Sequence, residues 1–347
     1  MVHVDASLLP TQRPLSDSEL RAVLEPLGRV TSHRMLSGGT FCAVQEATLN
    51  DDIQIVIKTS VPDQARPDGR TPLLTYERDL LRSEIATLEA LAAVDTVPVP
   101  EVLLTDFSRR QADVDILVMS HIPGVAWDTA TQHMTPAANK RAWQQVGGIL
   151  AGIHSVTAIR FGYPAADFVL GATSWPAFVD MLIHTATDDA ATWGVDIESE
   201  RLLAALDAVR PTLVDVTQPR LIHNDLWPGN VLVDPHSGEV QGIVDLERAL
   251  YGDPIQDLCG SESMNTGEPN AALVDGYLQA GGSFEAETGT GPALGANARA
   301  RLALYRLWAM SVQFIEIVPR GFHGAWVAHH RATIAANRHE LFRQLGV

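Results

Sequence analysis

Lysine is nearly absent from this chain: of 25 basic residues, Lys58 and Lys140 are the lysines and all others are arginines. Cysteine is equally scarce. Cys42 and Cys259 are too few for a disulfide framework and agree with a reducing, cytoplasmic setting. No uninterrupted apolar run approaches the roughly 20 residues of a membrane-spanning helix. Residues 1–16 hold prolines and polar breaks where a secretory leader would have an apolar core. Basic charge is short as well, with 25 Lys and Arg against 42 Asp and Glu for a formal net charge of −17. That balance argues against nucleic acid or an anionic membrane as a partner, and suits either a cationic small ligand or plain solubility. The 12 histidines make no metal cluster, since His329 and His330 are adjacent and cannot share a helix face. Internal repeats and a heptad seam are also missing. At 347 residues the chain is long enough for a substantial core, divided into two lobes.

What the chain does have is the run His223-Asn224-Asp225-Leu226-Trp227-Pro228-Gly229-Asn230. It spells H-x-D-x-x-x-x-N, in which an aspartate meets the hydroxyl of a phosphoryl acceptor and an asparagine holds a metal. Val231–Asp234 then reads as a strand, Pro235–Gly238 as a turn, and Glu239–Asp245 as the returning strand. A hairpin sets the start of its first strand beside the end of its second, which brings Asn230 to Asp245. An amide oxygen beside a carboxylate is a hard-oxygen pair suited to Mg²⁺. Taken singly, each residue is an ordinary turn Asp or Asn. Four suitable residues at the right offsets favour a catalytic loop.

Lys58 ends the alternating strand Ile53–Lys58, where a charge is costly unless paired. A chain that otherwise uses arginine places a compact ammonium here, which suits the phosphates of a nucleotide. Tyr76–Ala92 reads as a helix with Leu80, Leu81, Ile85, Leu88 and Leu91 on one stripe. Its Glu84 is the candidate partner of Lys58, and spacing alone leaves Glu77 and Glu89 as competitors. Before the lysine strand, Gly38-Gly39 in Leu36–Phe41 would let the backbone approach a phosphate, though the same pair serves any hairpin. Neither G-x-G-x-x-G nor G-x-x-x-x-G-K-[ST] occurs, and the glycines from Gly281 to Gly295 read as a loop.

Glycine pair, strand lysine, helix glutamate, H-x-D-x-x-x-x-N and a later metal aspartate, in that order, resemble the aminoglycoside phosphotransferase family. The resemblance runs from about Leu20 to Arg320. It also takes in Val97–Pro100, Ile116–Met119 leading to Pro123-Gly124, Leu150–His154, and Gly252-Asp253-Pro254 with Asp257. Asn224 stands where glycine is common and Trp227 where histidine is common. Leu246-Glu247 follows the metal aspartate in place of Phe-Gly, which argues against a protein substrate. The resemblance implies an α+β, two-lobed, protein-kinase-like fold: a small β-rich lobe over residues 1–122 and a larger helical lobe over 123–347. It implies ATP and Mg²⁺, with Asp225 as catalytic base, Asn230 and Asp245 on the metal, Lys58 on the phosphates and Glu84 orienting it. Gly38 and Gly39 would cover the phosphates, and Met119–Ile122 would be the hinge, adenine meeting the carbonyl of Ser120 and the N–H of Ile122. Asp257 resembles an aspartate that braces the catalytic loop, and reads equally well as a helix N-terminal charge. His223 reads as a packed, hydrogen-bonded histidine.

The expected organisation is a lead-in helix at Ser18–Glu25 and strands near Val30–Leu36, Phe41–Leu49, Ile53–Thr59, Glu101–Phe107 and Asp115–Ile122. Helices follow at Ala137–Val156, Trp175–Thr185, Glu200–Leu213, Ala271–Ala280, Ala296–Ile317 and Ala325–Leu345. The expected activity is transfer of the γ-phosphoryl of ATP to a hydroxyl of a small, cationic molecule, an aminoglycoside-type or other antibiotic. A metabolite kinase for fructosamine-, choline- or sugar-like alcohols is the alternative, and a nucleotide-binding scaffold with little turnover is the second class. Asp180, Asp188, Asp189, Glu262 and Glu316 are candidates to grip ammonium groups, and each also reads as a solvated helix face. A monomer or homodimer is expected.

Overall fold

The structure is a computed structural model that describes residues 12–36, 41–61, 74–284 and 294–347. It is mixed α and β, rich in sheet toward the N-terminus and helical beyond it. Two compact units divide the chain: Met1–Leu73 with Pro100–Ile122 and Pro319–Phe322, and Leu74–Val99 with Pro123–Val318 and His323–Val347.

In the first unit, helix α1 (Asp17–Leu24) starts at Ser16, which forms a capping box with Glu19. Strands β1 (Val30–Met35), β2 (Ala43–Leu49) and β3 (Gln54–Ser60) form a meander. With β4 (Val102–Asp106) and β5 (Asp115–Ser120) they make an antiparallel sheet ordered β1-β2-β3-β5-β4. Ile55 and Ile57 of central β3 pack with Leu20, Val23 and Leu24 of α1 and with Ile116 and Val118 of β5. Strand alternation puts Lys58 on the other face, in register with Val44 and Leu117 and 6% exposed.

In the second unit, α2 (Leu80–Leu91) begins later than the apolar stripe suggests. Thr75–Glu77 is a 3₁₀ turn, and Asp79 is left-handed at φ 54°, so one continuous helix from Tyr76 is broken. Strand β6 (Val125–Ala126) and the short α3 (Trp127–Ala130) lead to α4 (Pro136–Ile153). Strands β7 (Phe161–Gly162) and β8 (Gly171–Ala172) precede α5 (Trp175–Trp193). That helix runs well past the expected end at Thr185 and stops at Gly194, whose φ of 63° makes the C-terminal turn that most other residues resist.

Next come α6 (Ser199–Leu213), β9 (Arg220–Ile222), the hairpin strands β10 (Val231–Val233) and β11 (Val240–Ile243), and β12 (Leu250–Gly252). The chain continues through α7 (Asp257–Ser261), α8 (Ala271–Gln279), α9 (Ala296–Glu316) and α10 (Ala325–Leu345). Two small sheets, β11-β10-β6 and β8-β7-β12-β9, present the loops that matter below. Helices α4 and α8 touch backbone to backbone: a Cβ on Gly276 would lie 1.9 Å from the Gln144 carbonyl oxygen, so glycine is required there. Among the described residues no helix is long and apolar enough to cross a membrane.

Candidate active site

The loop after β9 is held from below by one buried carboxylate. Asp257, at the start of α7 and fully buried, accepts the backbone N–H of His223 at 2.9 Å and that of Asn224 at 2.5 Å. Nε2 of His154 lies 3.0 Å from the same group. Of the two readings that spacing left open for Asp257, the geometry is that of a brace. Asn224 is left-handed at φ 64°, which explains why glycine suits this position and why asparagine tolerates it. Its amide is pinned on both sides, accepting from Gln256 at 2.8 Å and donating to the Arg248 carbonyl at 3.2 Å. Gly260 of α7 lies beneath the loop, where a Cβ would come within 3.1 Å of the Asp225 nitrogen. Burial pushes the nearby Cys259 thiol up to about 12, reinforced by Asp257 and Asp225, so it is an inert packing group.

Past this brace the loop closes around the Asp225 carbonyl. That oxygen accepts the Trp227 N–H at 3.0 Å and the Asn230 side-chain amide at 2.8 Å. The donation uses the Asn230 amide nitrogen, so its amide oxygen is the acceptor atom of that side chain. The Asp225 side chain itself is 31% exposed. His223 is buried, its Nε2 3.2 Å from the Val244 carbonyl and its Nδ1 accepting the Asp225 N–H at 3.4 Å. Burial holds its pKa below the ordinary value despite Asp257 and Asp245.

The hairpin β10–β11 pairs Val231 with Ile243, and the Val244 N–H donates to the Asn230 carbonyl at 3.0 Å. Asp245 follows at φ 68°, a turn that carries the chain out of the strand. Carboxylate oxygens of Asp245, Glu84 and Glu247 all lie within 4.8 Å of one another. Glu84 also accepts the Leu246 N–H at 3.3 Å, which ties α2 to this turn. The donor set is all hard oxygen and fits Mg²⁺. Glu247 was not singled out from the sequence, although its place two residues after Asp245 was the available signal. Of the two competing glutamates on the same stretch, Glu89 is exposed, and Glu77 is buried and accepts the Leu74 N–H at 2.9 Å.

Arg248, also not anticipated, sits among carboxylates. Its Nε lies 3.8 Å from Asp225 Oδ2 and its Nη2 donates to Glu316 Oε1 at 3.0 Å. Its guanidinium is 5.2 Å from the centre of the Tyr76 ring, and the Tyr76 hydroxyl donates to the same Glu316 oxygen. Burial opposes its charge, but Glu316, Tyr76, Asp225 and Glu247 together hold its pKa well above the ordinary value. Glu316 is therefore neither a solvated helix face nor an exposed ammonium grip. Of the other acidic candidates, Asp188 is exposed and three are engaged. Asp189 accepts the Thr75 N–H and hydroxyl, Asp180 pairs with Arg210, and Glu262 accepts the Asn270 N–H.

The remaining predicted residues lie elsewhere along the chain. Lys58, Ser120 and Ile122 belong to the first unit, and Glu84, Asp225, Asn230 and Asp245 to the second. Ser120 ends β5, exchanging hydrogen bonds with Glu101: its N–H donates to the Glu101 carbonyl and its hydroxyl accepts the Glu101 N–H, each at 2.9 Å. Gly38 and Gly39 lie outside the described residues.

Residues 70–295 match the model of the phosphotransferase enzyme family, and the chain belongs to that family. A 4-hydroxytryptamine kinase of Psilocybe cubensis is 26% identical over 249 residues, spanning 65% of this chain and 65% of that protein's length. Among solved structures, the fold is similar to a putative aminoglycoside phosphotransferase of Ralstonia eutropha JMP134, with a TM-score of 0.65, 14% identity, and 95% and 98% of the two chains covered. It is likewise similar to a putative fructosamine-3-kinase of Thermobifida fusca YX-ER1, with a TM-score of 0.62, 21% identity, and 94% and 100% covered.

Proposed function

We propose that the protein is an ATP-dependent kinase that phosphorylates a hydroxyl of a small, amine-bearing molecule. The observation that carries this reading is Asp225 itself: a partly exposed carboxylate on a loop whose backbone is pinned by Asp257, in a segment that leads through a hairpin to an oxygen cluster that includes Asp245. Phosphoryl transfer requires positioning and charge stabilisation more than covalent participation by the protein, and this loop is built for positioning. Asp225 orients the acceptor hydroxyl and takes its proton as the oxygen bonds to the γ-phosphorus and the bond to the ADP oxygen breaks. Lys58 supplies a compact cation for the nucleotide phosphates, and the Ser120 carbonyl and Ile122 N–H read the adenine edge. Asn230 and Asp245 would hold Mg²⁺, with Glu84 and Glu247 as further oxygen donors. When bound, the ion neutralises charge on the transferring phosphate.

The substrate class is supported by the net charge of −17 and by the relatives, whose names, aminoglycoside, fructosamine and 4-hydroxytryptamine, all denote compounds that carry both an amine and a hydroxyl. An aminoglycoside-type acceptor is one reading. A metabolite amine is the second, favoured by the 26% identity to the 4-hydroxytryptamine kinase. A binding scaffold without turnover is the weaker class, because Lys58, Asp225, Asn230 and Asp245 are all present.

The test is an ATP-consumption screen over aminoglycosides, macrolides, ketosamines, hydroxytryptamines and choline-like alcohols, with the Asp225→Asn variant beside the wild type. Loss of the base should cost about 10²–10⁴ in single-turnover transfer. Nucleotide affinity by calorimetry should be unchanged. Equal transfer rates would remove Asp225 from the mechanism, and tight ATP binding with no acceptor turned over would favour the scaffold.

A further inference from the structure

The two residues before Asp225 each reach across to the segment that carries Asp245. His223 Nε2 lies 3.2 Å from the Val244 carbonyl oxygen, one residue before Asp245. Asn224 Nδ2 donates to the Arg248 carbonyl at 3.2 Å, three residues after it. Asp245 therefore stands between two ties that start from consecutive positions on the loop. The second exists only because residue 224 is asparagine. Its backbone is left-handed at φ 64°, a conformation that glycine takes at less cost. What asparagine adds over glycine is the side-chain amide.

That amide is oriented as well as present. A backbone carbonyl can only accept, so Asn224 must turn its Nδ2 to Arg248 and its Oδ1 the other way. There Gln256 Nε2 donates to it at 2.8 Å. Gln256 is buried, and its Oε1 finds no partner among the described residues. A buried unpaired oxygen is a cost that a leucine in the same place would not carry. The next residue, Asp257, accepts the Asn224 N–H, so two consecutive residues grip the side chain and the backbone of one asparagine.

We propose that Asn224 is a positioning residue that sets where the Asp245–Arg248 turn sits relative to the loop of Asp225. The proposal rests on Asp225 and Asp245 serving phosphoryl transfer. Without the amide, the turn loses its direct tie to the loop on the far side of Asp245, and the two carboxylates lose their fixed spacing. Asn224 thereby acts on the chemistry through the backbone of a turn, with Gln256 holding its amide in the working orientation.

The experiment compares wild type, Asn224→Gly and Gln256→Met in crystal structures and in ADP release from Mg·ATP, with water and with the best alcohol of the screen. In Asn224→Gly the Arg248 carbonyl should move by more than about 0.5 Å relative to the Asp225 backbone, the tolerance within which a reactive constellation is held. The turnover number should fall about 10–100-fold, with the KM for ATP changed less than about two-fold. Gln256→Met, similar in length but without the donor, should show the same signature at a few-fold, and carries the test if Asn224→Gly does not fold. In an Asn224→Gly background, Gln256→Met should change turnover by less than about two-fold, because the amide it acts through has gone. Arg248 unmoved in the variant crystal would overturn the proposal. So would a lowered denaturation midpoint with turnover per folded molecule within about two-fold of wild type, which would leave Asn224 a packing residue. Asp225→Asn separates the two readings: if it transfers at the wild-type rate while Asn224→Gly still moves the turn and slows transfer, the assignment of the base is at fault. If the wild type releases no ADP with any acceptor, the kinase reading fails, and the position of the Arg248 carbonyl alone decides whether Asn224 sets the spacing.

Discussion

Helix α9 carries an arginine–carboxylate cluster near each end, and the two are built on opposite principles. Toward its N-terminus, Arg301 is 1% exposed and its Nε donates to Asp253 at 2.9 Å, while its Nη1 donates to the Thr212 carbonyl at 3.1 Å. Asp253 also accepts the Tyr305 hydroxyl at 2.8 Å and the Ile255 N–H at 3.1 Å, and the Tyr305 hydroxyl accepts from Trp175 at 2.7 Å. Burial and Asp253 together raise the Tyr305 pKa well above its ordinary value, so that hydroxyl remains a donor. At the C-terminal end, Arg248 and Glu316 are paired just as closely, yet their neighbour Asp225 lies 3.8 Å from the arginine and is partly exposed. A cluster saturated with hydrogen bonds holds the fold. One that borders a partly exposed carboxylate adjoins the site proposed for the reaction.

The largest expected effect falls on the closed cluster. Asp253→Ala leaves Arg301 buried without its carboxylate, a change that costs about 3–5 kcal/mol. Chemical denaturation should show this, while the turnover number per folded molecule stays within about two-fold of wild type. A stable variant with impaired turnover would break the comparison, because it would place Asp253 among the groups that serve the reaction.

Asp257 lies between these extremes, since it is buried like Asp253 but holds the loop that carries Asp225. Asp257→Asn keeps the shape and presents an N–H₂ where His223 and Asn224 now donate to a carboxylate. The expected loss is about 1–3 kcal/mol of stability, from donors left facing a donor. Transfer should fall more than denaturation explains, because Asp225 is carried on the same backbone. If rate and stability fall in strict proportion, the brace is purely structural.

How much of this was readable in sequence depends on separation along the chain. The H-x-D-x-x-x-x-N loop and its hairpin were legible because their geometry is local, and the strand boundaries in the first unit fell within a residue or two of those read from alternation. Asp257, 32 residues after Asp225, left two readings open that only the hydrogen bonds to His223 and Asn224 resolve. The Tyr76–Glu316 contact spans 240 residues and no periodicity announces it. Tyr76 instead read as the start of a helix, because propensity cannot foresee a left-handed Asp79. The end of α5 was misjudged for a related reason. The helix continues past Thr185 because helices stop where a residue such as Gly194 can take the left-handed turn.

The smallest effect expected is a pH dependence of stability from His223, which tests whether the open site is also the weak point of the second unit. Its Nε2 must donate to the Val244 carbonyl while its Nδ1 accepts from the Asp225 N–H, so the neutral ring satisfies both neighbours. A second proton would set the Nδ1–H against the Asp225 N–H. Burial, opposed by Asp257 and Asp245, accordingly holds the folded-state pKa below the ordinary 6.5. A depressed pKa means that the unfolded chain binds the proton more readily than the folded one. The stability contributed by neutral His223 is present above 6.5 and is lost as the pH falls through that value to the folded-state pKa. Denaturation midpoints measured from pH 8 down to about 5 should decline in the wild type and decline less in His223→Gln, which keeps an N–H for Val244 but cannot titrate. Parallel declines in the two proteins would assign the acid sensitivity to other groups and leave the loop as robust as the closed cluster at the far end of α9.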